Sequence, residues 1–445
     1  MMKVKPIKTK YLIIGNSAGG IGAAETIRSV DADNRIIMVS DEPFPAYSRP
    51  LISEYLAHER DLKSMLFRDE DFYARLKIDL LSDRRVTNID TAGRSALLED
   101  GLLIHWQKLL LATGGTPIVP SVKRLDKQGV FSFIKLQDAQ KIDGYLSGIK
   151  NAAVIGGGLI GISVAEALTK RGMDVIVIEM KDRILNTILD ETASEQAASV
   201  IKRHGVKLIT DNTVSEVLGG NRVEGIRLNN GEVISCQILI IAIGVVPRLD
   251  LIRDTGIDIN RGIIVDRYMS TSQPDIFACG DVAECYDFIA DGNRLTPIWP
   301  NAYIGGRIAG LNMAGKQTVY GGGTSMNSIN YFGMDIVSAG LISAPVKEDY
   351  EILISHRNGN YKKLLLKHGL INGMIFVNDI EKAGIIFGLM RDRINVDSFK
   401  NVLIKNDFGL IDLPPDLLRR YVGIITPDQH IVPIREEAEQ PVFDE

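Results

Sequence analysis

The same folding unit occurs twice in this chain. Tyr11-Leu12-Ile13-Ile14 leads into Gly15-Asn16-Ser17-Ala18-Gly19-Gly20, and Ala153-Val154-Ile155 leads into Gly156-Gly157-Gly158-Leu159-Ile160-Gly161. Beyond each turn the apolar residues follow a helical period, over 21–30 and 162–171, and a second apolar strand follows at 35–40 and 174–179. Strand, glycine turn, helix and strand make a βαβ unit, in which the two strands run parallel and the helix covers one face. A second echo closes each unit. Leu109-Leu110-Leu111-Ala112-Thr113-Gly114 is matched by Leu239-Ile240-Ile241-Ala242-Ile243-Gly244, with Pro117 and Pro247 each three residues past the glycine.

The nesting of these echoes predicts an α/β protein with two Rossmann-like dinucleotide-binding domains, one inserted in the other. Residues 1–115 and 247–323 form the outer one, and 116–246 form the inner one. At 445 residues the chain has room for a third. Gly321-Gly322-Gly323 reads as a hinge, and 324–425 reads as a C-terminal α+β domain without a glycine fingerprint. In it, Tyr361–His368 and Ile371–Val377 form a hairpin split by Gly369-Leu370, with helices over 382–393 and 396–404. Residues 426–445 are read as an acidic tail.

A formal net charge of −5 argues against a general nucleic-acid binder, which shows a basic face. Apolar runs such as Ile238 to Val246 are too short to span a bilayer, and no apolar stretch of secretory length precedes Gly15. Three cysteines, Cys236, Cys279 and Cys285, are too few for a disulfide framework or a four-thiolate metal site. No metal is expected, because the six histidines lack ligand spacing. The expected location is cytoplasmic, without membrane attachment.

A dinucleotide fingerprint works through its backbone. Its first glycine allows the tight turn, its second lets the pyrophosphate approach, and its third packs helix on strand. The helix N-terminus then offers free N–H groups to phosphate. Gly156, Gly158 and Gly161 complete the second fingerprint, with Leu159 and Ile160 in its first helical turn. Glu179 ends the following strand, where a carboxylate takes both ribose hydroxyls and repels a 2′-phosphate. NADH is therefore favoured over NADPH, although Lys181 and Arg183 stand close behind. In the first fingerprint Ser17 replaces the middle glycine between Gly15 and Gly20, and Ala18 follows it. Its ribose carboxylate is Asp41 or Glu42, with Asp41 favoured. A third element is the apolar strand that ends at Cys279-Gly280-Asp281, where a carboxylate can accept from a ribitol hydroxyl.

The order of these pieces over about residues 10–315 resembles the FAD-dependent pyridine nucleotide oxidoreductases. Val39-Ser40-Asp41-Glu42-Pro43 followed by Tyr47-Ser48-Arg49-Pro50 is similar to the branch that holds NADH:rubredoxin and NADH:ferredoxin reductases and apoptosis-inducing factor. The resemblance implies that Arg49 contacts FAD and that Val86 touches the adenine through its backbone. It also implies that Ala112-Thr113-Gly114, Gly244 and Gly280-Asp281 frame the cofactors. Pro297-Ile298-Trp299-Pro300-Asn301-Ala302 is similar to the stretch that lies against the isoalloxazine ring. Two departures stand out. Tyr47 to Glu59 contains no redox cysteine, which excludes a flavin–cysteine relay at its usual place. Branch members often carry a Lys–Glu pair near flavin N5, and an ungapped alignment puts Glu54 and Ser163 there.

The resulting expectation is an enzyme without a catalytic side chain of its own. It passes electrons between NADH and a one-electron iron–sulfur acceptor through FAD; the acceptor is rubredoxin, ferredoxin or a partner subunit. The rivals are a thiol or disulfide reductase with an unconventional cysteine and a redox-gated interaction flavoprotein. A homodimer is compatible with the resemblance. Cys279 is read as buried packing, and Lys362, Lys363 and Lys367 as a solvated strand face able to dock an acidic partner.

Overall fold

The computed structural model describes residues 5–345 and 348–422. The acidic tail lies outside the described residues. The first unit opens with β1 (Tyr11–Ile14), α1 (Ala18–Val30) and β2 (Ile36–Val39), followed by β3 (Ile78–Leu81) and β4 (Lys108–Leu111). Every residue of β1 and β2 is buried, as strands covered on both faces require. After β4 the chain leaves this sheet and builds a second one. It comprises β5 (Val130–Ser132), β6 (Asn151–Ile155), α2 (Leu159–Lys170), β7 (Asp174–Ile178), α3 (Glu191–Arg203), β8 (Lys207–Ile209) and β9 (Ile238–Ile241).

The chain then returns as β10 (Ile276–Ala278), which pairs in parallel with β4 from Ile276↔Leu109 to Ala278↔Leu111. The orders are β10-β4-β1-β2-β3 in the first sheet and β5-β9-β6-β7-β8 in the second. Both sheets are parallel throughout. The two crossings between them run side by side. Gly115–Pro117 pairs antiparallel with Val245–Pro247, just past the positive-φ glycines Gly114 and Gly244.

Helix α4 (Trp299–Met313), which the sequence did not announce, packs along α1. Glycines allow this contact: a β-carbon on Gly306 would lie 2.0 Å from the Gly19 carbonyl oxygen. Thr26 Oγ1 donates across the seam to the Arg307 carbonyl at 2.9 Å. Gly323, the last of the three glycines read as a hinge, is held by backbone hydrogen bonds. The Gly323 N–H donates to the Tyr286 carbonyl (3.0 Å), and the Phe288 N–H donates to that of Gly323 (3.2 Å).

The C-terminal unit is an antiparallel sheet of β11 (Met326–Tyr331), β12 (Met334–Gly340), β13 (Glu351–Arg357), β14 (Asn360–Lys367) and β15 (Leu370–Val377), backed by α5 (Ala383–Arg391). Its order is β11-β12-β15-β14-β13. The β14–β15 turn is His368-Gly369, both at positive φ as a tight hairpin requires, one residue earlier than the sequence suggested. Residues 396–404 are not an α-helix. Asn395 Oδ1 accepts from the Asp397 N–H at 3.0 Å, a local turn that competes with helix, and only Lys400–Val402 winds into a short 3₁₀ turn.

Lys362 and Lys363 are likewise not a solvated face. Both lie buried on a central strand, Lys362 bound to Asp379 (2.7 Å) and Lys363 to Asp190 (2.7 Å). Lys367 pairs with Glu348. The docking expectation therefore fails for Lys362 and Lys363, whereas Lys367 stays at the surface. Among the described residues no helix is long and apolar enough to cross a membrane.

Candidate functional site

Both fingerprints fold as their spacing requires. Gly15 (φ +123°) and Gly156 (φ +106°) turn the chain out of their strands. A β-carbon on Gly15 would lie 2.1 Å from the Ala112 carbonyl oxygen, and one on Gly156 2.4 Å from that of Ala242. The closing glycines repeat the match: β-carbons on Gly20 and Gly161 would lie 2.0 Å and 1.9 Å from the carbonyl oxygens of Gly15 and Gly156. The two echoes in the sequence are thus two sides of one contact.

The first turn, and the start of the helix that follows the second, open onto a single cleft of about 580 Å³, within the range of cofactor sites. Gly15, Ser17 and Ala18 line one end, with Asp41, Glu42 and Val86. Ala112, Thr113 and Gly114 come from the end of β4, and Gly280 and Asp281 from the end of β10. Pro297 to Pro300 contribute the start of α4, and Leu159, Ile160 and Ser163 contribute the start of α2. Three helix N-termini thus meet in the same space. Gly20 and Gly161 serve the packing of their helices instead. Gly156, Gly158, Glu179 and Gly244 lie outside the cleft lining.

The charged groups divide by what still needs a partner. Glu42 is committed: one oxygen accepts from the Tyr47 hydroxyl at 2.6 Å and the other from Arg49. Arg49 also reaches Ser17 Oγ at 3.4 Å. Asp41 takes Lys135 (3.0 Å) and Arg248 (2.9 Å), both on Oδ2, and among the described residues Oδ1 has no partner. Burial opposes ionisation of Asp41, but Lys135 and Arg248 outweigh it and hold its carboxyl below the ordinary carboxylate range. Asp281 differs: burial raises its pKa against the pull of Arg49, and among the described residues no donor reaches its carboxyl. A half-buried acceptor facing a cleft without a protein donor fits a ligand hydroxyl.

In the second unit Glu179 is buried. It accepts from the Gly157 N–H at 2.6 Å and from the Lys181 N–H at 2.9 Å. A carboxylate has about four acceptor positions, so both oxygens retain capacity for ribose hydroxyls. A β-carbon on Gly158 would meet nothing within 4 Å, so this turn faces open space.

Of the two residues aligned with the Lys–Glu pair, Glu54 and Ser163, the fold brings only Ser163 to the cleft. Ser163 lines the cleft, whereas Glu54 turns outward to Arg60 and Ser53 lines the cleft in its stead. Trp299 lines it as well, edge-on to Phe67 with ring centroids 5.1 Å apart. The residues missed were Met326 to Ile329 and Tyr331 of β11, which form a wall. Nothing local in 326–331 marks a site, because its role comes from the fold bringing β11 against α2.

The thiols are poor nucleophiles. Cys236, Cys279 and Cys285 are free and buried. Burial pushes Cys236 and Cys285 up to about 12, and Cys279, which touches the cleft, higher still. A thiol attacks as its thiolate, which such burial suppresses.

Comparison with known proteins gives a consistent picture. Residues 9–307 match the family model of pyridine nucleotide-disulphide oxidoreductases, and residues 326–394 match that of the rubredoxin NAD+ reductase C-terminal domain. The chain is 30% identical to the nitrite reductase [NAD(P)H] of Bacillus subtilis over 89% of its own length, but it spans only 49% of that protein. It is 29% identical to the NADH-dependent phenylglyoxylate dehydrogenase subunit epsilon of Aromatoleum evansii, over 90% of this chain and 96% of that one. Among solved structures, NADH:rubredoxin oxidoreductase from Clostridium acetobutylicum superposes with a TM-score of 0.72 at 27% identity, covering 88% of this chain and 97% of the other.

Proposed function

This chain belongs to the pyridine nucleotide-disulphide oxidoreductase family, and from that premise we propose that it passes electrons between NADH and a one-electron iron–sulfur protein through bound FAD. The observation that carries the proposal is the shared cleft: the helix that begins at Ala18 and the helix that begins at Leu159 present their N-termini to one cavity. A pyrophosphate held at each of these N-termini would leave the two distal rings to meet in the cavity between them.

FAD held in the cleft would supply the hydride acceptor for NADH and the one-electron steps towards the iron–sulfur protein. The residues of the chain bind and orient. Ser17 and Ala18 offer the α1 N-terminus to the FAD pyrophosphate, with Arg49 fixed beside them. Asp41 is assigned to the ribose because Oδ1 is available, whereas both oxygens of Glu42 are engaged. Asp281 is assigned to a ribitol hydroxyl, and Val86 to the adenine. Pro297 to Pro300 and Trp299 wall the ring end and exclude water. Glu179 takes the NADH ribose beside Gly156, Gly158 and Gly161.

For the acceptor, rubredoxin, ferredoxin or a partner subunit all suit the C-terminal match, and the last is favoured by the likeness to a dehydrogenase subunit along nearly its whole length. The same C-terminal unit is the surface we assign to a homodimer or a partner. Buried free thiols suit a reducing compartment, so the reaction is assigned to the cytoplasm. The thiol-reductase reading loses support from the burial of all three thiols.

The test is to extract the flavin, identify it by mass, and follow anaerobic NADH oxidation with a one-electron dye. FAD with rapid turnover is expected. FMN, or no NADH oxidation, would overturn the proposal.

A further inference from the structure

The cleft contains a contact that links the C-terminal sheet to the helix assigned to NADH. Tyr331 ends β11, is 5% exposed, and projects its hydroxyl against the first turn of α2. That hydroxyl donates to the Leu159 carbonyl at 2.9 Å, while Ser163 Oγ lies 3.3 Å from it and 3.0 Å from the same carbonyl. Leu159, Ser163 and Tyr331 all line the cleft. Burial raises the Tyr331 hydroxyl to about 12, so it remains a proton donor throughout the working range.

Further fastenings join the same parts. The Phe332 N–H donates to Glu166 Oε1 at 3.1 Å, one turn further along α2. Tyr361 and Lys363 reach the Asp190 carboxylate at 2.6 Å and 2.7 Å, and Asp190 is the residue that caps α3. The sheet therefore grips both helices that follow β6 and β7. Only the Tyr331 contact, however, reaches the cleft.

We propose that Tyr331, acting with Ser163, is a positioning residue for hydride transfer: it fixes the first turn of α2 so that the nicotinamide end of NADH is presented to the flavin at reacting distance. The proposal rests on the function assigned above. Its physical basis is that near-attack geometry governs rate steeply, so a displacement of about 1 Å costs up to about a hundredfold. Affinity comes instead from groups farther along the dinucleotide, the Gly158 turn and Glu179. Neither hydroxyl carries charge, so the pair acts through geometry. It also occupies the end of the cleft where the resemblance implied a Lys–Glu pair that this chain lacks.

Tyr331→Phe removes the hydroxyl and keeps the ring. Leu159 retains Ser163 as a donor, so the fold should hold. The measurements are the single-turnover rate of flavin reduction at saturating NADH, the NAD+ dissociation constant by calorimetry, and amide hydrogen exchange over 159–165. Tyr331→Phe is expected to slow reduction about tenfold and leave the NAD+ dissociation constant within about twofold. Exchange in that segment should rise. Ser163→Ala should behave similarly, and the double variant should be no slower than the slower single one.

A wild-type rate in Tyr331→Phe, or a dissociation constant that rises as much as the rate falls, would overturn the proposal. If Tyr331→Phe loses flavin, Ser163→Ala carries the same expectations and decides. Wild-type protein that NADH fails to reduce contradicts the functional reading itself, which separates the two failures.

Discussion

The two glycine turns share a backbone and differ in their surroundings. At both, the closing glycine lies against the carbonyl of the first, and the first lies against an alanine carbonyl from a neighbouring strand. Around the Gly15 turn stand β4, β10, the start of α4 and the Asp41–Lys135–Arg248 cluster, which together enclose a cavity. Around the Gly158 turn there is open space, and Glu179 is held by backbone N–H groups alone. One motif therefore serves two roles. An enclosed turn suits a cofactor that stays, and an open one suits a substrate that must leave after each cycle.

The largest expected effect tests what the turns share. Gly20→Val and Gly161→Val each place atoms inside a main-chain contact of about 2 Å. Each should abolish recovery of folded, yellow protein, read by flavin absorbance and circular dichroism. A well-folded Gly20→Val protein would break the shared half of the comparison.

Gly158→Ala probes the difference. The added methyl meets no protein atom within 4 Å, so folding and flavin content should be unchanged. The pyrophosphate must approach that surface, and kcat/KM for NADH should fall about tenfold or more, a loss of roughly 1.4 kcal/mol or more. A drop in bound flavin instead of kcat/KM would reverse the roles assigned to the turns.

A smaller effect is expected at Glu179. Glu179→Ala removes the carboxylate that disfavours a 2′-phosphate and leaves Lys181 and Arg183 nearby. The NADH-to-NADPH ratio of kcat/KM should narrow by about tenfold. An unchanged ratio would remove Glu179 from cofactor choice.

The smallest effect is expected from the thiols. At pH 8 a thiol with a pKa of about 12 is ionised in roughly one molecule in 10⁴. The variant with Cys236, Cys279 and Cys285 all changed to Ala should turn over within about twofold of wild type, with some loss of thermal stability from the cavities. Loss of turnover with flavin still bound would restore the thiol-reductase reading.

What the sequence made legible is what is local in the chain. A strand that must turn sharply into a helix writes its glycines at fixed spacing, and the Ala112 and Ala242 contacts wrote the second echo. What escaped depends on pairs distant in sequence. The buried Lys362 and Lys363 looked like a wet strand face because their partners, Asp379 and Asp190, come from elsewhere in the fold. Tyr331 carried no local mark, since Leu159 and Ser163 are supplied by another unit. Glu54 was assigned by counting residues, whereas the short helix 52–56 turns Ser53 to the cleft and Glu54 to Arg60. Helix α4 was hidden because Pro300 and the three glycines Gly305, Gly306 and Gly310 weaken its helical pattern, until α1 supplied the surface that needs small residues.

In the function proposed above, an enclosed FAD takes electrons from an exchanging NADH without a protein thiol. The most direct measurement is an anaerobic stopped-flow titration of the cysteine-free variant with NADH, followed by mass identification of the released flavin. One equivalent of NADH is expected to bleach one equivalent of FAD, and a one-electron acceptor is expected to restore the colour. A flavin that remains oxidised in the presence of excess NADH, in a variant that retains its FAD, would contradict it.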